Sequence, residues 1–351
     1  SSQIEACIQD LCKKMNLNPK KYKKIVTSIP GNIVDVRQIT TLDMPDQELS
    51  VSLELEAKKH IASDGTDAII DYYHLGTDEK ELDKIKVILV STTKNIIKEH
   101  AKMIKNSGFK PGIFDTDPIA LSNIYQYNYK LPKEGTDVII NIGNSTTTLI
   151  VWGEKLPFFT RTLETAGNYF TEGIMRTLGV DYKTAEKMKF KKGIDVLENK
   201  EETSSDIGIA LEKKTVFNDL TDEIRKTLRY YMKNNNQSFF NNFYLAGGSA
   251  NLPGLQNFIA SNLNVNVEIL NPINNIKSNK KIDNISEYST VLGLALIPAA
   301  MAFGMLEVID PALMLGFGAG LLAISLAKTR MYVPRPHLTR IFKESLLLSS
   351  S

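Results

Sequence analysis

The apolar run Val138-Ile139-Ile140-Asn141-Ile142 breaks at Gly143 and turns at once into a second strand-like run that ends at Trp152. A short, almost continuous apolar strand is suited to burial on both faces, which calls for a sheet covered on each side. The break carries a second constraint. A glycine at a strand end lets the backbone approach a ligand closely. The amides and hydroxyls that follow, on Asn144, Ser145, Thr146, Thr147 and Thr148, can donate to phosphate oxygens. On its own, Gly-Asn-Ser-Thr serves equally well as an ordinary hairpin turn.

Two later segments bear on that choice. Phe243-Tyr244-Leu245-Ala246-Gly247-Gly248-Ser249-Ala250, followed by Leu252-Pro253-Gly254-Leu255, reads as strand, Gly-Gly turn and helix. The missing side chains leave room for a flat base or ribose on the backbone, and the helix start adds partial positive charge toward a phosphate. A tight strand-to-helix connection explains the same residues. Between these loops, Ala185-Glu186-Lys187-Met188-Lys189 falls on a helix. Glu186 could accept from ribose hydroxyls and a lysine could reach a base or phosphate; an ordinary solvated charge pair is the alternative.

The remaining pattern divides the chain. Residues 4–15 read as an amphipathic helix (Ile4, Cys7, Ile8, Leu11, Met15). Residues 33–114 alternate as strand, helix, strand, strand, helix, strand, an α+β module set between two stretches of another architecture. The helix over 96–106 closes at Ser107-Gly108. From Thr136 a second region runs through strands at 138–142, 146–152 and 156–163, helices at 166–178, 183–190 and 216–231, then strand, helix, strand and a last helix at 288–296. The stretch 191–212 is polar and reads as loop-rich.

Composition excludes several functions. A net charge of +2 over 351 residues, with 23% charged and 42% apolar, gives no electrostatic case for nucleic acid. Cys7 and Cys12 lie five apart on one helix and face different ways, so reduced thiols are expected rather than a disulfide. His60, His74, His100 and His337 form no ligand spacing. No secretory signal opens the chain, which argues for the cytoplasm.

The order of phosphate loop, helix with Glu186 and Gly-Gly loop resembles the second half of the actin/Hsp70-like ATPases. Within them the chain is similar to the PilM family of type IV pilus assembly proteins from about residue 4 to residue 296, with the cell-division protein FtsA nearest by architecture. The segments 24–28, 54–58, 114–118, 245–251 and 291–295 carry this resemblance. It implies an α/β, two-lobed, actin-like (ribonuclease H-like) fold: a remnant of the first subdomain at 1–30, an inserted α+β module of FtsA/PilM type at 31–114, a return at 115–135 and a second lobe at 136–296. It implies ATP or ADP, with the adenine on Gly247, Gly248 and Ser249, the ribose at Glu186 with Lys189 nearby, and phosphates at Gly143, Thr146 and Thr147. It also implies a cytoplasmic scaffold, peripheral at the inner membrane, that grips the N-terminal peptide of a PilN-like protein and so joins the pilus alignment complex. A slow ATPase and an FtsA-like membrane-associated division protein are the rival readings.

Two departures touch the chemistry. The opening Asp-x-Gly-x-x-x-x-Lys hairpin of actin-like proteins does not occur before Thr136, so the resemblance implies that half of the phosphate clamp is absent from this sequence. Asn141 stands where the family carries the aspartate that orients a Mg2+-bound water, and a neutral amide does not hold the cation as a carboxylate does. Finally, residues 297–351 change character. The stretch 311–327 is uncharged and mostly apolar, short for a bilayer span; membrane contact, a fused end and a buried helix pair remain open for it.

Overall fold

The structure is a computed structural model that describes residues 2–22, 25–61, 67–197, 214–276, 282–301, 314–315 and 322–323. The tail assigned above to 297–351 lies almost entirely outside these residues, as does most of 198–213.

Chain order begins with helix α1 (Ser2–Lys14), strand β1 (Val26–Ile29), β2 (Asp35–Leu42), α2 (Asp46–Lys58), β3 (Ala68–Thr77), β4 (Lys84–Thr93), α3 (Lys94–Asn106), β5 (Ile113–Thr116) and α4 (Asp117–Asn128). There follow β6 (Asp137–Ile142), β7 (Thr147–Trp152), β8 (Phe159–Leu163), α5 (Gly167–Leu178), α6 (Tyr182–Lys192) and α7 (Val216–Asn235). The chain continues with β9 (Phe243–Ala246), α8 (Leu255–Leu263), β10 (Val267–Ile269), α9 (Ser289–Met301) and two short strands, β11 (Met314–Leu315) and β12 (Leu322–Ala323). No helix among the described residues is long and apolar enough to cross a membrane.

Three sheets result. The five-stranded sheet has the order β10-β9-β6-β7-β8, with β6–β7 and β7–β8 antiparallel and β6–β9 and β9–β10 parallel. The alternation of β6 sorts its side chains between two cores, Val138, Ile140 and Ile142 on one face and Ile139 on the other. The first face lies under α5, α7 and α8 through Phe170, Phe217, Ile224 and Ile259. The second lies under α4 and α9 through Ile119, Ile124, Leu292 and Leu296.

Helix α4 is buried from Pro118 to Tyr125, Ser122 and Asn123 included, because it is covered on more than one side. Its far side and that of α9 meet the second sheet, where Val26, Ala120, Val291 and Leu294 pack together. The two helices cross so closely that a Cβ on Gly293 would stand 1.8 Å from the carbonyl oxygen of Ala120. That second sheet has the order β11-β12-β1-β5, with β1 and β5 parallel from Val26↔Ile113 to Ile29↔Thr116.

The third sheet, β2-β4-β3, is antiparallel, and α2 covers one face through Leu49, Leu53 and Ala57. The strand that closes the expected α+β alternation, β5, is not part of this sheet. It pairs with β1, because α3 turns back onto α1, with Ile104 against Ile8, Cys12 and Phe109. Cys7 is exposed and Cys12 buried, on different faces of α1.

Candidate nucleotide site

The three sequence segments come together around Gly143. Its N–H donates to the Thr146 carbonyl at 3.0 Å, closing the turn between β6 and β7. Its own carbonyl accepts from the amide of Gly167 at 3.0 Å and from the hydroxyl of Ser249 at 3.1 Å. Asn168 N–H donates to the Asn144 carbonyl at 2.7 Å, so the start of α5 is laced along the turn.

The Gly-Gly loop closes from the other side. Gly247 has a φ of +87°, and a Cβ there would lie 2.4 Å from the Ile142 carbonyl oxygen and 2.7 Å from Asn141 Oδ1. Only glycine meets both demands. Its N–H donates to the Ser286 carbonyl at 3.1 Å. Gly248 differs from its neighbour: a Cβ there has open space, with Glu287 Cγ nearest at 4.0 Å. A flat group can therefore lie against Gly248, while Gly247 fixes the loop to β6.

The remaining expected residues fall in two classes. Thr146 is half-buried at the turn, whereas Thr147 is fully buried and its hydroxyl donates to the Thr165 carbonyl at 2.7 Å. Glu186 is half-buried on α6 and accepts from the Thr171 hydroxyl through Oε1. Lys189 is only 2% exposed. Its ammonium donates to the Gly167 carbonyl at 2.9 Å, to Thr171 Oγ1 at 2.7 Å and to Glu186 Oε1 at 2.5 Å. All three of its protons are engaged, so Lys189 clamps α6 to the start of α5 instead of reaching toward a base or phosphate.

Sequence reasoning missed the residues that join these segments. Gly167 is packed so tightly that a Cβ would meet Ser249 Oγ at 2.7 Å and the Gly143 carbonyl at 3.1 Å; the small pair Ala166-Gly167 after a strand was its only sequence signal. Thr165 donates to Glu223 on α7 at 2.8 Å, and Glu287 stands beside Gly248 with its carboxyl pushed up by burial. Neither carries a motif.

A Mg2+ ion has little to bind from this chain. Asn141 is neutral and its Oδ1 faces Gly247, and among the described residues no three His, Cys, Asp or Glu side chains group as ligands. The donors do not fit a protein-built magnesium site.

The segment that follows β1 approaches β8. A Cβ on Gly31 would meet Thr162 Oγ1 at 2.7 Å and Pro118 Cγ at 3.3 Å, and Thr162 pairs with Thr148 just beyond the β6–β7 turn. Ser28 donates its hydroxyl to Asp117. Burial raises Asp117 to about 6 and its neighbour Asp115 to about 7.

Comparison with known proteins agrees with this architecture. Residues 1–298 match the family model described as type IV pilus assembly protein PilM. A solved PilM–PilN type IV pilus biogenesis complex is similar at 23% identity, over 83% of this chain and 84% of that one, with a TM-score of 0.66. More distant likenesses include the ethanolamine utilization protein EutJ from Carboxydothermus hydrogenoformans (17% identity, 58% of this chain and 62% of that one, TM-score 0.41) and MreB5 of Spiroplasma citri bound to AMPPNP (16%, 60% and 66%, TM-score 0.40). The fold is actin-like, and the chain belongs to the PilM family of type IV pilus assembly proteins.

Proposed function

We propose that this chain is a nucleotide-binding scaffold of type IV pilus assembly that takes ATP or ADP between the β6–β7 turn and the Gly-Gly loop. The observation that supports this best is the meeting of Gly143, Gly167 and Ser249 within hydrogen-bond distance. It draws the expected phosphate loop, the α5 start and the expected adenosine loop together, with their backbone groups side by side. In this reading the base lies on Gly248 and Ser249, the ribose meets Glu186, and the phosphates meet the amides at Gly143 and Thr146. Thr147 and Lys189 shape the site from behind. Binding is the function; hydrolysis is no part of the proposal.

The partner in this reading is the N-terminal peptide of a PilN-like inner-membrane protein, held in a groove beside the three-stranded module on the cytoplasmic side. Family membership and the likeness of fold to the PilM–PilN complex support it. The protein then links that partner, and through it the pilus alignment complex, to a nucleotide-dependent body.

Calorimetry tests both halves with the full chain. ATP or ADP should release heat with the wild type and lose it in Gly248→Leu, whose side chain fills the open space above the loop without touching the core. Unchanged ATP binding by that variant would remove the base from Gly248. The peptide, titrated separately, should bind wild type and Gly248→Leu alike; no heat and no competition would remove the partner.

A further inference from the structure

The outer face of α6 belongs to neither reading. Tyr182 and Phe190 are 46% and 61% exposed. They lie eight residues apart on one stripe, about 12 Å along the helix at 1.5 Å per residue. Lys183, Lys187 and Lys191 form a second stripe beside them, and Lys192 follows; all four lysines are exposed. Tyr182, Phe190, Lys183, Lys187 and Lys191 border one shallow, open surface recess together with Glu186.

The inner face explains why the outer one is so cationic. Ala185 and Lys189 point into the protein, and the only carboxylate of α6, Glu186, is matched by Lys189 at 2.5 Å. The four outer lysines have no counterpart on their own helix. The acids at the Tyr182 end are Glu186 and Glu172, which act on the Tyr182 ring, and Asp181 at the helix start, which feels Lys187. A tyrosine ring and an apolar phenylalanine ring with a parallel row of flexible ammonium groups form a surface on which the rings can enter a headgroup region while the lysines meet its charge.

We propose that α6 docks this protein onto an anionic lipid surface, with Tyr182 and Phe190 entering the interface and Lys183, Lys187 and Lys191 against the headgroups. Charge complementarity and the flat, ring-bearing face favour a bilayer over a folded partner, which would need a pocket for each ring. The face adjoins the proposed nucleotide site, because Glu186 belongs to both.

Flotation of the full chain with vesicles tests it. Vesicles of phosphatidylcholine and phosphatidylglycerol at about 2:1 should carry the protein at low salt, and pure phosphatidylcholine should not. Each lysine near such a surface is worth about a fivefold gain in partitioning, so Lys183→Glu/Lys187→Glu/Lys191→Glu should bind at least about a hundredfold less. Raising the salt should weaken the wild type. The milder triple Lys→Gln variant serves if the reversal lowers the thermal midpoint. Three results overturn the proposal: no wild-type binding to the anionic vesicles; equal binding by the lysine variants, which would assign any membrane contact to residues 297–351; or binding of a polyglutamate probe without binding of vesicles, which would make the face a site for an acidic polypeptide.

Discussion

The five-stranded sheet and the three-stranded module both pack against apolar side chains, yet they are held by different means. In the sheet's lobe, backbone meets backbone. A Cβ would fall 2.4 Å from a carbonyl oxygen at Gly247, 2.2 Å at Gly153 and 1.9 Å at Gly193. Within the three-stranded sheet and α2 (residues 35–93) the described glycine, Gly76, has nothing within 4 Å of its Cβ position. Cohesion there comes from Leu49, Leu53 and Ala57 set against Val87 and Leu89. Backbone contact fixes positions to fractions of an ångström and admits no side chain. Side-chain packing tolerates changes of shape if volume is kept. The proposed nucleotide site would suit the first kind of construction, and the proposed peptide surface the second.

The sharpest test of this contrast is Gly247→Ala. The new methyl meets the Ile142 carbonyl at 2.4 Å on a backbone at +87°, so strain and overlap together should cost about 4 kcal/mol or more. Nucleotide binding should vanish even where the variant remains folded. A stable variant with normal affinity would show that the loop is not fixed to β6.

Next in size is Asp115→Asn, at the junction of the two regions. Asp115 lies on β5, is fully buried and feels Asp117 and, on the module, Asp71. Its Oδ1 accepts the Thr116 amide at 2.7 Å, and Oδ2 has no hydrogen-bond partner. With a folded value of about 7 against 3.8 unfolded, its favourable neutral state is complete below pH 4. That contribution is lost as pH rises to 7, at ~1.4 kcal/mol per unit of displacement. The neutral variant should equal the wild type near pH 4 and exceed it by a few kcal/mol at pH 8. His100, buried against Phe114 with a value lowered to about 4, contributes in the opposite sense. Its part is complete above pH 6.5 and lost below, so wild-type stability alone would conceal both. Denaturant melts of the two proteins from pH 4 to 8 separate them; parallel curves would refute the burial argument.

Leu53→Ala addresses the module itself. The side chain is about 1% exposed, and its truncation should cost about 3 kcal/mol. Nucleotide affinity should not change, because none of the contacts at Gly143 passes through α2. A loss of affinity beyond a few-fold would mean that module and site act as one unit, and the contrast drawn above would fail.

Much of this was legible in the residues. The apolar run at Val138–Ile142 predicted a strand buried on both faces because nearly every position in it is apolar, and two cores divide it. The Gly-Gly turn was visible because glycine has few other reasons to occur twice after a strand. What was not visible was partnership. The pattern of β5 marks a strand, but nothing in Ile113-Phe114-Asp115-Thr116 says that it pairs with Val26–Ile29 and not with β4; the return of α3 onto α1 decides that. Lys189 reads as a solvated lysine by its neighbours Lys187, Lys191 and Lys192, and only the start of α5 turns it inward. Thr146 and Thr147 are adjacent and identical in type, and strand alternation puts one at the turn and the other in the core.

The smallest expected effect is at Ser249. Its hydroxyl donates to the Gly143 carbonyl at 3.1 Å and it is 7% exposed. Removing a buried donor usually matters because the acceptor is stranded. Here the same carbonyl keeps the Gly167 amide at 3.0 Å, so Ser249→Ala leaves it satisfied and should cost only about 1 kcal/mol. Affinity for ATP should fall a few-fold at most, since the backbone contact at Gly247 still places the loop. If Ser249→Ala were instead as damaging as Gly247→Ala, the loop would be held by a side chain after all. The site would then belong with the module among the adaptable parts of the protein. A thermal melt and an ATP titration on the two variants side by side decide between these.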